Sequence, residues 1–259
     1  MWRHGSFFSS LLKGTVALLL AGGCQPDGAA RAPFELPPPP PTATSAERAP
    51  AVAVPIIVSA VPSASSPAPC PADMVDLGTR CIDRYEAPNV KGEKPLRMQS
   101  AIDGEDFCER AGKRLCSEDD WLRACNGSSK RAFPYGSRYR SGVCNDEGKY
   151  LAPSWKALAT WPAAAAVAEA ARLDQSEPSG ARPDCVSEEG VVDMTGNVAE
   201  WVVRTRDNDT NYAHVIKGCF WGRCFRPPHT PSCDYVNFAH PSGFRSYELG
   251  FRCCRDRAL

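Results

Sequence analysis

Sulfur dominates the reactive side chains of this sequence. Thirteen cysteines are spread along 259 residues, at Cys24, Cys70, Cys81, Cys108, Cys116, Cys125, Cys144, Cys185, Cys219, Cys224, Cys233, Cys253 and Cys254. Thiols can bind soft metals, exchange electrons or pair into disulfides. No Cys-x-x-Cys pair occurs, which argues against zinc ribbons and thioredoxin-like sites. A reducing compartment rarely keeps so many thiols without metal or redox chemistry, so a disulfide framework in an oxidising compartment is the better reading. The count is odd, so one cysteine has a separate fate. Oxygen donors gather at Asp193-Met-Thr-Gly196-Asn-Val198-Ala-Glu200, where two carboxylates flank a Gly-Asn turn. Calcium takes such ligands together with backbone carbonyls; the plainer alternative is a solvated turn capped by its acids. His214, His229 and His240 have no metal-ligand spacing and read as surface or loop residues. Trp201, Phe220, Trp221 and Phe251 read as core. No phosphate loop, nucleophile elbow or His-Glu-x-x-His motif is present.

The elements that must position these residues begin after a long lead. Arg3 and Lys13 precede the apolar stretch Gly14-Thr-Val-Ala-Leu-Leu-Leu-Ala21, and Gly22-Gly23-Cys24 follows. That order describes a secretory signal over residues 1–23. Its apolar run falls well short of the ~20 residues that span a bilayer. Leu20-Ala21-Gly22-Gly23-Cys24 is similar to a bacterial lipobox, although Ala21 stands where a bulkier aliphatic residue is usual. Lipidation of Cys24 leaves an even twelve cysteines. The segment 24–69 is rich in Pro, Ala and Ser, too poor in apolar bulk to offset chain entropy with a core. It predicts a semi-rigid spacer, with Ala51–Val58 as a doubtful edge strand around Pro55. Thirty basic and thirty acidic residues cancel, and no basic cluster exists to neutralise phosphates, so nucleic acid is not an expected partner.

From Cys70 to residue 259 the composition is that of a packed domain. Met74–Leu77 and Arg80–Tyr85 predict a hairpin, which Cys70 and Cys81 can bridge. Ser100–Ala111 predicts a helix stopped by Gly112. A second helix starts behind Ser117, with Glu118, Asp119 and Asp120 where the helix dipole favours acids. Ala163–Leu173 predicts an Ala-rich surface helix after Pro162. Val215–Trp221 and Tyr247–Cys253 read as strands, and the middle of the chain as loops. The class is α+β with little regular structure.

Six motifs recur in a fixed order: Asp83-Arg-Tyr-Glu-Ala-Pro-Asn89, Phe107 to Gly127, Phe133-Pro-Tyr-Gly136, Val191 to Trp201, Lys217-Gly218 and Gly250-Phe-Arg-Cys-Cys254. Together they resemble the formylglycine-generating (sulfatase-modifying factor) family across roughly residues 74–254. The resemblance implies a variant C-type lectin fold, disulfide-stapled, with bound structural Ca2+. It implies the pairs Cys108–Cys253 and Cys125–Cys233; Cys116–Cys254 and Cys144–Cys185 are guesses beside them. The implied calcium ligands are Asp193, the Gly196 and Val198 carbonyls and Glu200, with a second site starting near Asn145 and Asp146.

Active members of the family use two cysteines that bind copper(I), with four residues between them, after a Gly-Gly-Ser turn. Here the segment reads Lys217-Gly-Cys-Phe-Trp-Gly-Arg-Cys224. Cys219 and Cys224 have the spacing, yet Cys219 occupies the turn itself, and the first active cysteine would fall on Arg223. A structural Cys219–Cys224 disulfide is the simpler expectation, with no confident catalytic residue and copper only if the protein is catalytic. Three readings stay open: a non-catalytic, surface-tethered binding or scaffold module for a protein or surface ligand; a copper-dependent oxidase of exported proteins; and an accessory domain for a membrane or signalling protein. The expected form is a monomer, held to a membrane by its lipid anchor alone and facing the periplasm or the exterior.

Overall fold

The computed structural model describes residues 69–257, apart from 208, 223 and 226–228. The leader, Cys24, the Pro/Ala/Ser-rich segment with its Ala51–Val58 strand, and Arg223 therefore lie outside the described residues.

Among the described residues eight short strands and four helices alternate with long loops: β1 (Met74–Asp76), β2 (Arg80–Asp83), α1 (Ala101–Arg110), β3 (Arg114–Leu115), α2 (Glu118–Asn126), α3 (Trp155–Leu158), α4 (Ala164–Leu173), β4 (Ala199–Val203), β5 (His214–Lys217), β6 (Val236–Asn237), β7 (Leu249–Phe251) and β8 (Cys253–Asp256). This is an α+β architecture of low regular content. The described residues all belong to one compact unit, Ala60–Leu259.

Both longer N-terminal helices begin where their sequences supply a cap. Ser100 Oγ accepts the Asp103 amide at 3.2 Å while the Asp103 carboxylate accepts the Ser100 amide at 2.8 Å. Ser117 and Asp120 repeat the arrangement at the start of α2. Each box satisfies two amides that a helix terminus leaves unpaired. Helix α1 then lies directly on β7. A Cβ at Gly104 would meet the Phe251 ring at 3.0 Å and Leu115 at 3.1 Å, so any larger residue would have to displace those side chains by a few tenths of an ångström.

The strands form two sheets, ordered β1-β2-β8-β3 and β6-β5-β4-β7. In the second, β4 pairs antiparallel with β5 and parallel with β7. Side chains alternate across a strand, and here both faces are covered. Ala199, Trp201 and Ile216 join one apolar cluster with Phe251, Leu249 and Trp221. Val202 and Val215 join another with Trp121, Ile82 and Met194. Glu200 and Lys217 share the second face, where a carboxylate and an ammonium must find partners.

Two strands end earlier than their sequences suggest. β5 stops at Lys217 because Gly218 (φ +85°) and Cys219 (φ +60°) turn left-handed and leave the sheet. The run Tyr247–Cys253 divides at Arg252: β7 serves the second sheet and β8 the first. Six disulfides hold these loops: Cys70–Cys81, Cys108–Cys253, Cys116–Cys254, Cys125–Cys233, Cys144–Cys185 and Cys219–Cys224. The adjacent cysteines of β8 thus tie it to α1 and to the start of α2. So many bridges point to an oxidising compartment and export. No helix among the described residues is long and apolar enough to cross a membrane.

Candidate functional site

The turn carrying Asp193, Gly196, Val198 and Glu200 is built from left-handed residues, with φ +55° at Asp193, +79° at Gly196 and +53° at Asn197. It folds against Asn145, whose carbonyl accepts the Asn197 amide at 2.8 Å. The Asn145 side-chain amide donates to the Gln175 carbonyl at 3.0 Å and to Asn197 Oδ1 at 3.2 Å. A third acid, Glu86, reaches in from the first sheet's side. Its carboxylate accepts the Val198 amide at 3.0 Å and Asn197 Nδ2 at 2.7 Å.

Arg252 supplies the positive charge among these acids. It is fully buried. Its Nε donates to Glu200 Oε2 at 2.7 Å and its Nη2 to Oε1 at 2.5 Å, a bidentate fork. Its remaining donors face the carbonyls of Asp83, Arg84, Val192 and Asp193, at 3.2 to 3.5 Å. Trp121 Nε1 donates to Glu200 at 2.9 Å. Burial pushes the Asp193 carboxyl up to about 6, against the pull of the Gly180 amide and of Arg252. Burial, then repulsion from Asp193 and Glu200, holds Glu86 well above the ordinary carboxylate range.

A calcium ion at the turn would need Glu200, and both oxygens of Glu200 are already spent on Arg252 and Trp121. The Asn145 side chain spends its Nδ2 hydrogens on Gln175 and Asn197. Asp146 leaves one buried oxygen, Oδ2, without a hydrogen-bond partner, while its other oxygen and the Glu147 carboxylate both accept from the Tyr139 hydroxyl. Among the described residues no group of three or more His, Cys, Asp or Glu could hold a metal ion. A guanidinium in an oxygen cage thus lies against the acids of the turn where the sequence leads one to expect calcium.

The opposite face of the second sheet carries cavities. Cys219 and Cys224 are joined and nearly inaccessible, and with Tyr235 they form a small cluster of their own. Phe220, between them, is a shared wall. It stacks on Phe225 with centroids 5.1 Å apart and meets Trp221 and Tyr247 edge-on at 5.6 and 6.2 Å. On one side a cavity of about 350 Å³ is lined by Tyr150, Leu173, Trp221, Tyr247 and Cys224. On the other, a cavity of about 280 Å³ is lined by Trp155, Phe225, His240, Phe244, Glu248 and Cys219.

Glu248 is the one carboxyl group in the lining of that second cavity. It is 4 % exposed and accepts a hydrogen bond from Ser246 Oγ. Burial pushes its carboxyl up to about 7, with the Ser246 hydroxyl pulling the other way. His240 stacks on Phe244 at 3.9 Å, and burial holds its imidazole below the ordinary value, hence neutral at pH 7.

Reading the sequence alone missed this cavity. Phe220 and Trp221 are buried as expected of core residues, yet each also presents a face to open space. The one signal for Glu248 was an acid between Tyr247 and Leu249 in a run otherwise fit for the core. His214 is no surface residue: it sits buried on β5, with Ser242 Oγ at 2.8 Å and Glu105 at 3.0 Å from its two ring nitrogens.

Comparison with known proteins adds a family. Residues 75–257 match the sulfatase-modifying factor enzyme 1-like domain. No curated protein matches the chain. Among solved structures, CarF is similar at 14% identity, covering 68% of this chain and 86% of that one, with a TM-score of 0.47. PvdO from Pseudomonas aeruginosa is similar at 20% identity, covering 70% and 80%, with a TM-score of 0.45. Treponema denticola variable protein 1 is similar at 13% identity, covering 68% and 84%, with a TM-score of 0.48.

Proposed function

The chain belongs to the sulfatase-modifying factor enzyme 1-like family, whose fold is a variant of the C-type lectin fold, and from that premise we propose that it is a non-catalytic binding module of an exported lipoprotein. A leader over residues 1–23, lipidated Cys24 and the Pro-rich spacer would hold the domain away from a membrane surface, presenting its aromatic cavities to a ligand. One observation carries the reading. The two cysteines with copper-site spacing are joined to each other in the wall between the cavities, and the other ten cysteines from Cys70 onward are paired as well. Copper(I) is held by thiolates, and this arrangement leaves none for it.

The turn chemistry supports the same reading. Cys219 and Phe220 replace the second glycine and the serine of the family's Gly-Gly-Ser turn, and Tyr235 clusters with the two sulfurs. The oxidase reading retains a single favourable observation, the placement of Cys219 and Cys224 at a cavity wall. The two are separated by incubating purified protein with copper(I), oxygen and a sulfatase-type cysteine peptide. The binding-module reading expects no mass change in the peptide and no tight copper(I) binding. Formylglycine in the peptide's mass spectrum would reverse the assignment.

A further inference from the structure

We propose that the cavity bounded by Trp155, Phe220, Phe225, Phe244 and Glu248 is a binding site for an organic ammonium with an apolar body, and that Glu248 is its counter-ion. The inference deepens the binding-module reading by naming a ligand class, and it rests on that reading only in treating the cavity as a ligand site.

The geometry sets three requirements on an occupant. The first is size. At about 280 Å³ the cavity lies just below the range for drug-sized ligands, ~300–1,000 Å³, so it suits a single ring or short chain. The second is access. Trp155 and Phe225 are 53% and 50% exposed, so two lining rings reach solvent and the cavity has a mouth. The third is charge. Glu248 forms no ion pair among the described residues, and its carboxyl accepts only from neutral donors, the Ser246 hydroxyl and its own backbone amide. A carboxylate buried without a cation is costly unless a charge partner arrives. His240 cannot be that partner while burial keeps it neutral, and Lys217 turns to the opposite face of the sheet, 3.8 Å from Glu118 and 5.5 Å from the Trp121 ring centroid.

The remaining lining suits the same ligand. Aromatic faces attract a cation within ~6 Å of the ring centre, and Trp155, Phe220, Phe225 and Phe244 come from three separate segments to provide them. Asn237 adds a neutral polar group to the lining. A carboxylic acid ligand would meet Glu248 with like charge, and a purely apolar one would leave its carboxyl without a counter-charge.

The probe is 2-phenylethylammonium, with neutral 2-phenylethanol as its near-isostere, titrated by calorimetry into the full chain with its disulfides formed. The ammonium should bind at least about tenfold more tightly than the alcohol, as pairing a buried charge provides. Glu248→Gln should reduce that preference to within about twofold, and Trp155→Ala should weaken both probes without removing it. Near-UV circular dichroism identical to wild type shows that each variant is folded; should Glu248→Gln fail there, Glu248→Asp, which keeps the charge on a shorter arm, must retain the preference. Equal affinity for alcohol and ammonium, a preference surviving Glu248→Gln, or no binding of either probe at millimolar concentration would overturn the assignment. Formylglycine production would remove the binding-module reading while leaving this charge preference to be read separately.

Discussion

Arg252 and Glu248 solve the same problem in opposite ways. Arg252 carries its charge into the interior and meets Glu200, Glu86 and Asp193 there, while Glu248 is buried without a cation among the described residues. Truncating one partner of a buried pair leaves an uncompensated charge, which costs about 3–5 kcal/mol. Arg252→Gln should therefore lower the denaturation midpoint by that order, whereas EDTA should leave the midpoint of the wild-type protein unchanged. A calcium-dependent midpoint would return the charge of this site to a metal. Glu248 makes a pH prediction. Its folded value of about 7 lies above the ordinary 4.5, so between those values the folded state binds more protons than the unfolded one, and stability falls as pH rises. The contribution is fully present below about pH 4.5 and lost above about pH 7. At 1.36 kcal/mol per unit it amounts to about 3 kcal/mol. Denaturant midpoints of wild type and Glu248→Gln, measured from pH 4.5 to 8, should diverge in wild type's disfavour as pH rises. Parallel curves would refute the burial of an ionisable Glu248.

At the scale of elements, α1, α2 and α4 were legible because their signals are local, whereas the single turn of α3 lies in a stretch that reads as loop. Ser100 and Ser117 each place a hydroxyl before a run with an acid three residues on, and α1 and α2 begin there. Ala-rich α4 was legible too, although it is not wholly a surface helix, since Ala166, Ala170 and Leu173 are buried. The strands were less so. β4 was hidden inside a motif that reads as a ligand turn, and β5 and β7 end where backbone conformations, at Gly218–Cys219 and at Arg252, break runs that look continuous in hydropathy. The cavity was not legible at all, because Trp155, Phe220 and Phe244 meet only when α3 and two distant loops fold together. Close packing gives this level its own test. Gly104→Ala would push a methyl into Phe251 and Leu115, and overpacking of this kind costs about 1–3 kcal/mol. Ser117→Ala removes one cap, at about 1 kcal/mol, and should cost less than Gly104→Ala in thermal denaturation.

For the whole molecule, twelve short elements cannot anchor loops of this length by sheet pairing alone, and the disulfides do so unequally. Cys108–Cys253 spans 145 residues and Cys219–Cys224 spans 5. In the chain-entropy account these restrict the unfolded chain by about 5 and about 2 kcal/mol. Replacing Cys108 and Cys253 together by serine should thus lower the unfolding midpoint much more than replacing Cys219 and Cys224. The family and the α+β class were readable from the ordered motifs, since those motifs contain the residues that build the fold: the capped helices, the Glu200–Arg252 pair and the cysteines of β8. The measurement that bears most directly on the account is a thiol count on protein isolated without reductant, by alkylation under denaturing conditions and peptide mass spectrometry. The account predicts no label on any of the twelve cysteines from Cys70 to Cys254, and label on all twelve after reduction; native labelling of Cys219 and Cys224 would contradict it and return the pair to redox chemistry.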